Sequence, residues 1–304
     1  MKIAIGPSSF ASVNKTPLKV LKSKGLEVIN NPYARKLTEN EIIDHLQGVD
    51  GLIAGLEPLN SNVFQKSTDL KVIARVGIGM ENVDMKSAEI HKIKVSNTPD
   101  GPTDAVAEMT LAAALSLSRN IVQVNRALHE KQWEKSIGMG LKNTNVLIVG
   151  YGRIGRKVAE LFRIMGAQIL VCDPFVTKND LQSGEELLEL KDGLKLADII
   201  TLHAGGDNPI LTETEFKMMK KGAIVLNSAR ANLIDEGALI YALDSGNVSS
   251  AWLDVFWNEP YTGKLTDYDQ VLLTPHMSTY SVQCRRDMEM AAVNNLLRDL
   301  GIDA

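Results

Sequence analysis

A glycine-rich turn between an apolar strand and an amphipathic helix is the feature that most limits how this chain can fold. The run Asn145–Val149 predicts a buried strand, and Gly150, Gly152 and Gly155 follow it around the start of a helix predicted at Arg153–Met165. The first glycine permits a tight turn, the second lets the backbone approach a pyrophosphate, and the third allows close packing of helix on strand. The helix N-terminus adds unpaired N–H groups and a partial positive charge. The segment therefore predicts a dinucleotide-binding site.

An acidic residue at the end of the next strand indicates which dinucleotide binds. The predicted strand Gln168–Cys172 leads directly into Asp173. A carboxylate at this place accepts hydrogen bonds from the ribose hydroxyls and repels a 2′-phosphate. The sequence therefore predicts NAD rather than NADP as the cofactor, and Lys178 is expected to lie in solvent.

Short apolar strands alternate with helical patterns along nearly the whole chain, which is typical of parallel sheets covered by helices on both faces. In the first half, strands are predicted at Lys2–Gly6, Leu26–Ile29, Gly51–Ala54, Lys71–Val76 and Lys94–Ser96, and helices at Pro17–Lys24, Glu39–Gln47, Ser61–Lys66 and Asp84–His91. In the second half, strands are predicted at Asn145–Val149, Gln168–Cys172, Asp198–Leu202, Ala223–Asn227, Ser250–Asp254 and Val271–Leu273, and helices at Arg153–Met165, Thr212–Met219, Asp235–Leu243 and Ser281–Leu300. Thr38 is the predicted N-cap of the helix that starts at Glu39.

The length of 304 residues predicts two domains, because a domain averages roughly 150 residues. Proline and glycine interrupt regular structure at residues 98–102 and again at Thr274–Pro275. We predict an α/β protein of two doubly wound parallel-sheet domains. A flavodoxin-like substrate domain comprises residues 1–98 and is completed by 279–304, and a Rossmann NAD-binding domain comprises residues 99–278. The active site is expected in the cleft between them.

Two further helices are predicted between the two series of strands. The segment Thr103–Ser118 is rich in Ala and Leu and apolar on most sides, and Ile121–Trp133 follows it. A helix that is apolar all round is buried, so the first is expected between domains or subunits. Leu128 and Trp133 add apolar bulk that one subunit leaves exposed. We therefore expect a homodimer.

Composition excludes several classes of protein. The chain has 33 basic and 37 acidic residues, a formal net charge of −4 and no basic block, so neither nucleic acid nor an anionic membrane is an expected partner. An apolar fraction of 44% and a charged fraction of 23% exclude disorder. No signal peptide or spanning segment is expected. Cys172 and Cys284 are too few for a disulfide framework, so we expect a cytoplasmic protein, and no metal site is predicted.

Three polar side chains follow strands of the second series. Arg230 follows the strand at 223–227, Glu259 lies beyond the next strand, and His276 follows the last one. Ligands of open α/β sheets bind at the carboxyl ends of the strands, so these side chains are expected to gather there. A guanidinium holds a carboxylate or carbonyl by paired hydrogen bonds. A histidine exchanges a proton near neutral pH, and a glutamate beside it holds the imidazolium in place. Taken singly, each side chain also fits a surface ion pair or a loop contact.

Several motifs resemble those of the D-isomer-specific 2-hydroxyacid dehydrogenases, and the resemblance covers almost the entire chain. The similar segments are an arginine motif at Asn227–Leu239, a glutamate motif at Leu253–Pro260, a histidine motif at Leu273–His276, a substrate loop at Arg75–Asp84 and an interdomain crossing at Asn97–Glu108. The resemblance implies an NAD-dependent oxidoreductase that acts on a small D-2-hydroxy acid or 2-oxo acid.

The resemblance also implies a role for each matched residue. Arg230 would orient the 2-oxo acid, His276 would donate or accept the proton, and Glu259 would pair with His276. Asp254 would hold the nicotinamide carboxamide, and Arg75 would face a second charged group of the substrate or form an ion pair on the strand. The remaining cofactor-lining residues would be Arg153, Ile154, His203, Ser228 and Ala229, and the loop Val76–Gly77 would offer N–H groups to the substrate carboxylate.

This chain departs from the family pattern at three places. Ala231 stands where a glycine usually follows the catalytic arginine, and Met277–Tyr280 replaces a stretch of small residues after the histidine. Ala204 replaces the proline that usually follows His203. None of these changes removes a catalytic group, but all affect the shape of the substrate pocket.

The substrate therefore stays open between two choices. Many similar family members are 3-phosphoglycerate dehydrogenases, and the loop that begins at Arg75 is similar to theirs. Such enzymes tend to carry an arginine and a small hydroxyl residue where this chain has Gly55, Leu56 and Glu57, and Glu57 would repel a phosphate dianion if it faced the pocket. Glyoxylate or hydroxypyruvate reduction is the alternative.

A hypothesis of another class also fits the fold. Some proteins similar to this family are NADH-sensing corepressors, which keep the arginine, glutamate and histidine but act as binding modules. Turnover of a 2-oxo acid, set against NADH binding alone, discriminates between the two classes.

Overall fold

Two all-parallel sheets organise the chain, as the computed structural model shows for residues Met1–Ile302. The described residues pack into two units. One is formed by Met1–Pro102 together with the segment from Tyr280 onward, and the other by Thr103–Thr279. The chain therefore leaves the first unit, completes the second, and returns. Within the described residues, no helix combines the length and the apolar character needed to cross a membrane.

The first unit is a five-stranded sheet with the strand order of a flavodoxin-like fold, β2-β1-β3-β4-β5. Its strands are β1 (Lys2–Ile5), β2 (Glu27–Ile29), β3 (Gly51–Ala54), β4 (Val72–Arg75) and β5 (Lys94–Ser96). Its helices are α1 (Thr16–Ser23), α2 (Glu39–His45), α3 (Ser61–Lys66), α4 (Met85–Ile90) and, at the far end of the chain, α11 (Val282–Leu300). The helix α11 packs against β3 and β4 of this sheet, so the terminal helix completes the first unit.

The second unit is a seven-stranded sheet of order β12-β11-β10-β9-β6-β7-β8, which is the doubly wound Rossmann order with one added strand. Its strands are β6 (Asn145–Val149), β7 (Gln168–Cys172), β8 (Glu185–Leu187), β9 (Ile199–Leu202), β10 (Ala223–Asn227), β11 (Val248–Leu253) and β12 (Val271–Leu273). Its helices are α5 (Pro102–Ser118), α6 (Ile121–His129), α7 (Arg153–Ile164), α8 (Leu190–Leu196), α9 (Glu213–Met218) and α10 (Glu236–Asp244). The predicted pair of doubly wound α/β domains is confirmed.

Burial explains why the central strands read as continuous apolar runs. Every residue of β3, β9 and β10 is buried, because helices cover both faces of a parallel sheet. The predicted N-cap of α2 is confirmed, since Thr38 and Glu41 form a reciprocal capping box. Local capping and apolar periodicity thus agree with the fold.

The sequence analysis did not predict the strand β8 or the helix α8. The strand β8 contains Glu185 and Glu186 and lies at the sheet edge, paired only with β7, so it needs no apolar run. The helix α8 is short, has no side-chain N-cap and contains Gly193. A Cβ at Gly193 would lie 2.7 Å from the Leu147 side chain, so the glycine allows α8 to pack closely on β6.

The two helices between the series of strands differ from their predictions. The helix α6 ends at His129 rather than Trp133, because Lys131 adopts a left-handed conformation with φ of 64°. The helix α5 is not apolar all round, since Asp104 and Glu108 are exposed while its opposite side is buried in its own unit. The buried side of α5 therefore packs at least partly within the second unit.

Candidate active site

The glycine-rich turn has the geometry that a dinucleotide requires. Gly150 adopts φ of 93°, and a Cβ there would lie 2.5 Å from the backbone nitrogen of Ala204. A Cβ at Gly155 would lie 2.0 Å from the carbonyl oxygen of Gly150, whereas one at Gly152 would meet no atom within 4 Å. The first and third glycines thus let the backbone pack, and the second leaves open space at the N-terminus of α7. This open space coincides with the predicted pyrophosphate site beside the backbone of Arg153 and Ile154.

Asp173 lies at the end of β7, where the sequence predicts the ribose acceptor. Its Oδ2 accepts the N–H of Tyr151 at 2.6 Å, and its Oδ1 accepts the N–H of Phe175 at 2.9 Å. The side chain is only partly buried, and each carboxylate oxygen retains a second acceptor position. Asp173 therefore both holds the glycine-rich turn in place and stays available to a ribose hydroxyl.

His203 ends the neighbouring strand β9. Its Nε2 lies 2.9 Å from Oγ1 of Thr201, and burial of the ring lowers the pKa of His203 to about 3. The ring is therefore neutral across the working pH range. A neutral ring at a strand end can line a cofactor by shape and hydrogen bonding, but it cannot supply an imidazolium.

The loop that carries Arg230 is held by Asn227, a residue that the sequence analysis missed. Asn227 is fully buried at the end of β10. Its amide nitrogen donates to the carbonyl of Arg230 at 2.8 Å, and its Oδ1 accepts the N–H of Ala229 at 3.0 Å. Between them, Ser228 has a buried Oγ with no hydrogen-bond partner in the described structure. A polar residue that ends a wholly apolar strand is the sequence signal that could have identified Asn227.

Glu259 and His276 meet beyond the ends of β11 and β12. The Nδ1 atom of His276 lies 3.0 Å from Oε1 and 3.1 Å from Oε2 of Glu259. Both side chains are partly exposed, so Nε2 is the ring nitrogen left for a substrate. Because β10, β11 and β12 are adjacent parallel strands, their carboxyl ends lie side by side. Arg230, which follows β10, is therefore at the same end of the sheet as Glu259 and His276. The three predicted catalytic residues thus lie at one edge of one sheet.

Asp254 is connected to the segment around His276. The Asp254 side chain is buried, and its two oxygens accept four hydrogen bonds from that segment. The donors are the hydroxyl of Thr274, the N–H of Met277, and both the N–H and the hydroxyl of Ser278. The contact of Asp254 with a nicotinamide carboxamide stays a prediction. The sequence analysis missed Thr274 and Ser278, whose partners are distant in sequence.

The N–H groups at the start of the loop after β4 have partners within the first unit. The N–H of Val76 donates to the carbonyl of Ala54 at 2.9 Å, and the N–H of Gly77 donates to Oγ1 of Thr98 at 2.8 Å. A substrate carboxylate bound by Val76 and Gly77 would therefore displace one of these acceptors, and the role of this loop stays a prediction.

Arg75 and Glu57 are two buried ionisable side chains at the carboxyl ends of neighbouring strands of the first sheet. The guanidinium of Arg75 donates to the carbonyl of Val76 at 3.1 Å and packs so closely on Gly77 that a Cβ there would overlap it. Glu57 is 1% exposed, and its Oε1 accepts the N–H of Gly55 at 2.9 Å. Burial raises the pKa of Glu57, while the N–H of Gly55 and the charge of Arg75 act against that rise.

A match to a known family model covers most of the second unit. Residues 111–278 match the model described as "D-isomer specific 2-hydroxyacid dehydrogenase, NAD binding domain". This range contains the glycine-rich turn, Asp173, Arg230, Glu259 and His276. The chain belongs to the D-isomer-specific 2-hydroxyacid dehydrogenase family. NAD is accordingly the cofactor of its second unit.

Related proteins and solved structures agree with the family match. D-3-phosphoglycerate dehydrogenase of Sus scrofa is 36% identical over 283 residues, which are 90% of this chain and 52% of that protein. Hydroxypyruvate reductase of Thermotoga maritima is 33% identical over 276 residues, 88% of this chain and 90% of that protein. The crystal structure of the TT0316 protein from Thermus thermophilus has a TM-score of 0.90 and 30% identity, covering 100% of this chain and 98% of that one. The chain spans about half the length of the phosphoglycerate dehydrogenases it matches.

Proposed function

We propose that this dehydrogenase-family chain is an NAD-dependent oxidoreductase that transfers hydride between NAD(H) and C2 of a small D-2-hydroxy acid or 2-oxo acid. The observation that carries the proposal is the contact between His276 and Glu259, at the sheet edge to which Arg230 also belongs. A histidine oriented by a carboxylate is the arrangement that general acid–base catalysis requires. The glycine-rich turn on the same sheet supplies the cofactor site.

Side chains of this protein bind the substrate and transfer the proton of the reaction. When bound, the nicotinamide supplies the hydride for reduction and receives it in oxidation. Arg230 holds the 2-oxo acid and stabilises the negative charge that develops on its C2 oxygen. Protonated His276 gives that oxygen a proton from Nε2, and Glu259 holds the ring and stabilises its charged form. In oxidation the neutral imidazole takes the proton from the hydroxyl.

The substrate proposal keeps both choices, and each has its own support. The similarity to D-3-phosphoglycerate dehydrogenases and the presence of Arg75 support a phosphorylated substrate, which we place before the unphosphorylated alternative. The buried carboxylate of Glu57 favours the alternative, an unphosphorylated acid such as glyoxylate or hydroxypyruvate. It already lies in the field of Arg75, so a phosphate dianion would share that cation with Glu57.

We also propose a homodimer in a reducing compartment, the cytoplasm. Leu128 is 55% exposed and Trp133 is 81% exposed in the single chain, and such apolar surface favours association. Cys172 and Cys284 are free thiols. Burial raises the pKa of each to about 11, so both are protonated and unreactive, as a core residue in a reducing cell would be.

Turnover of a panel of 2-oxo acids tests the proposed activity. We expect the protein to oxidise NADH with at least one of glyoxylate, hydroxypyruvate, pyruvate and 3-phosphohydroxypyruvate, and to form the D-hydroxy acid. The H276A variant should lose on the order of 10²–10⁴ in kcat while its Kd for NADH stays near the wild-type value. NADH binding without turnover of any acid would contradict the proposal and favour a binding module.

A further inference from the structure

Tyr151, the residue between the first two glycines of the turn, contacts the edge strand of the second sheet. Its side chain is buried, and its hydroxyl donates to the carboxylate of Glu185 on β8. Burial and this carboxylate raise the pKa of Tyr151, so the hydroxyl stays protonated and acts as the donor. A hydrogen bond to a carboxylate is stronger than one between neutral groups. The glycine-rich turn is thus bound to a residue 34 positions further along the chain.

Arg156, in the first turn of α7, contacts both Tyr151 and the segment that leads to β8. Its guanidinium carbon lies 4.6 Å from the centre of the Tyr151 ring, and its Nε donates to the Tyr151 carbonyl at 3.1 Å. A guanidinium over the face of an aromatic ring is attracted to it. Its Nη1 donates to the carbonyl of Asp180 at 2.8 Å. The segment 174–185 is therefore held at two places, Asp180 and Glu185, by side chains of the turn and of the helix start.

Asp173 binds the other end of the same segment. Its Oδ1 accepts the N–H of Phe175 at 2.9 Å, and its Oδ2 accepts the N–H of Tyr151 at 2.6 Å. At the far end, Glu185 also accepts the N–H of Gln182 at 2.9 Å. The backbone of Tyr151 thus holds the start of the segment and its side chain holds the end. These contacts fix the position of Asp173 relative to the glycine-rich turn.

The spacing between Asp173 and the turn matters for one half of the cofactor. The pyrophosphate of NAD is expected at the turn and a ribose hydroxyl at Asp173. Both contacts belong to the ADP half, and both can form at once only if the two protein groups are correctly spaced. Binding groups that are already in place cost less ordering when the ligand binds, so they raise affinity.

We propose that Tyr151, Arg156 and Glu185 form a clamp that holds Asp173 at the spacing from the glycine-rich turn that the ADP half of NAD requires. The three are positioning residues, because their side chains act through Asp173 and the segment that follows it. The clamp also gives the polar edge strand β8 a role, since this strand supplies Glu185. The proposal rests on the proposed function in one respect, because it takes the turn and Asp173 as the cofactor site.

Two fragments of the cofactor separate the clamp from a general effect on the fold. ADP-ribose carries the ADP half, and reduced nicotinamide mononucleotide carries the other half. In Y151F the Kd for ADP-ribose should rise about threefold to tenfold, the effect of one net hydrogen bond, while the Kd for reduced nicotinamide mononucleotide stays within about twofold of wild type. E185A should show the same difference between the fragments. E185Q keeps an acceptor for the Tyr151 hydroxyl, so its Kd for ADP-ribose should rise less. Titration calorimetry of the full chain measures these constants.

Amide hydrogen exchange tests the clamp without any ligand. In Y151F and E185A, exchange should accelerate in residues 174–186 and stay unchanged in the rest of the second unit. Y268F is the matched control, because the Tyr268 hydroxyl also donates to a carboxylate, that of Asp244 at 2.8 Å, but close to β12 at the opposite edge of the sheet. Y268F should change neither this exchange nor the Kd for ADP-ribose. E186Q is the control for charge, since Glu186 is exposed on β8, and it should leave the Kd for ADP-ribose unchanged.

Two results would overturn the clamp. One is a wild-type Kd for ADP-ribose together with wild-type exchange of residues 174–186 in both Y151F and E185A. The other is an equal rise in the Kd for both fragments, which would indicate a general loosening of the second unit. E185A alters only an edge strand, so it decides the matter if Y151F does not fold. A wild type that binds neither NADH nor ADP-ribose would contradict the proposed function instead, and the exchange measurement would still judge the clamp.

Discussion

Nδ1 of His276 faces both carboxylate oxygens of Glu259, at 3.0 and 3.1 Å. A carboxylate at this place accepts the proton on Nδ1 and so fixes the orientation of the ring. Nδ1 is also the nitrogen remote from a substrate at Nε2. The pair therefore leaves Nε2 to exchange a proton with the substrate oxygen.

The first prediction concerns the E259Q variant. The amide carries no charge and has one oxygen where the carboxylate has two facing Nδ1 of His276, so it holds the ring less firmly. We expect kcat/KM to fall on the order of 10²-fold in both directions of the reaction, because misplacement of a catalytic group costs about that much, while the Kd for NADH stays near the wild-type value. Steady-state rates of reduction and of oxidation check this. Wild-type kcat/KM in E259Q would show that Glu259 does not act on the histidine.

The second prediction concerns Arg230. R230K keeps the charge but loses the planar pair of donors that grips a carboxylate, so kcat/KM for the 2-oxo acid should fall on the order of 10²-fold with little change in NADH affinity. R126K is the matched control, because Arg126 makes a two-point contact with Asp269 on an exposed surface of the same unit. An R230K enzyme as active as R126K would exclude a two-point role.

The third prediction concerns cofactor choice. The wild type should bind NADH more tightly than NADPH, and D173A should narrow the ratio of the two dissociation constants by removing the charge that repels a 2′-phosphate. D198N is the control, since Asp198 likewise accepts a backbone N–H, that of Asn145 at 2.9 Å, but at the opposite ends of the strands. A wild type that prefers NADPH would contradict the role of Asp173.

The fourth prediction concerns stability and Glu57. Its pKa is raised in the folded state by burial, so the folded protein binds this proton more strongly than the unfolded chain and loses stability as the pH rises above the unfolded pKa. E57Q stays neutral, so its Tm relative to wild type should increase between pH 4 and pH 8. A Tm difference that is independent of pH would show that Glu57 does not titrate with folding.

Glu41 provides a control of opposite sign. The Arg35 guanidinium and the N–H of Thr38 lower the pKa of Glu41 to about 2, so its contribution is present above pH 4.5 and is lost as the pH falls towards 2. E41Q should therefore be less stable than wild type at neutral pH, with a difference that shrinks in acid. Opposite trends in E57Q and E41Q would separate a buried carboxyl from a paired one.

The fifth prediction concerns assembly. Light scattering at micromolar concentration should give twice the 33.2 kDa of one chain, and W133E should shift the mass towards one chain by placing a charge in the interface. F175E is the control, because Phe175 is 93% exposed but lies beside the proposed ribose site. A wild-type mass of one chain would contradict the homodimer.

Sequence alone determined the parts of this protein that depend on local pattern. The apolar strands, the turn at Gly150 and the acid at Asp173 could all be predicted, because each follows from residue types at short spacing. The strand β8 and the helix α8 could not, since a polar edge strand and a short helix that contains Gly193 lack the usual periodicity. Their positions depend on pairing with β7 and packing on β6.

Tertiary structure decided what the polar side chains contact. Arg230, Glu259 and His276 could be identified from their motifs, but the four hydrogen bonds that Asp254 accepts from Thr274, Met277 and Ser278 could not. Those partners lie 20 to 24 residues away. A hydrogen bond depends on distance and direction in space, and the chain brings these groups together only when β11 pairs with β12.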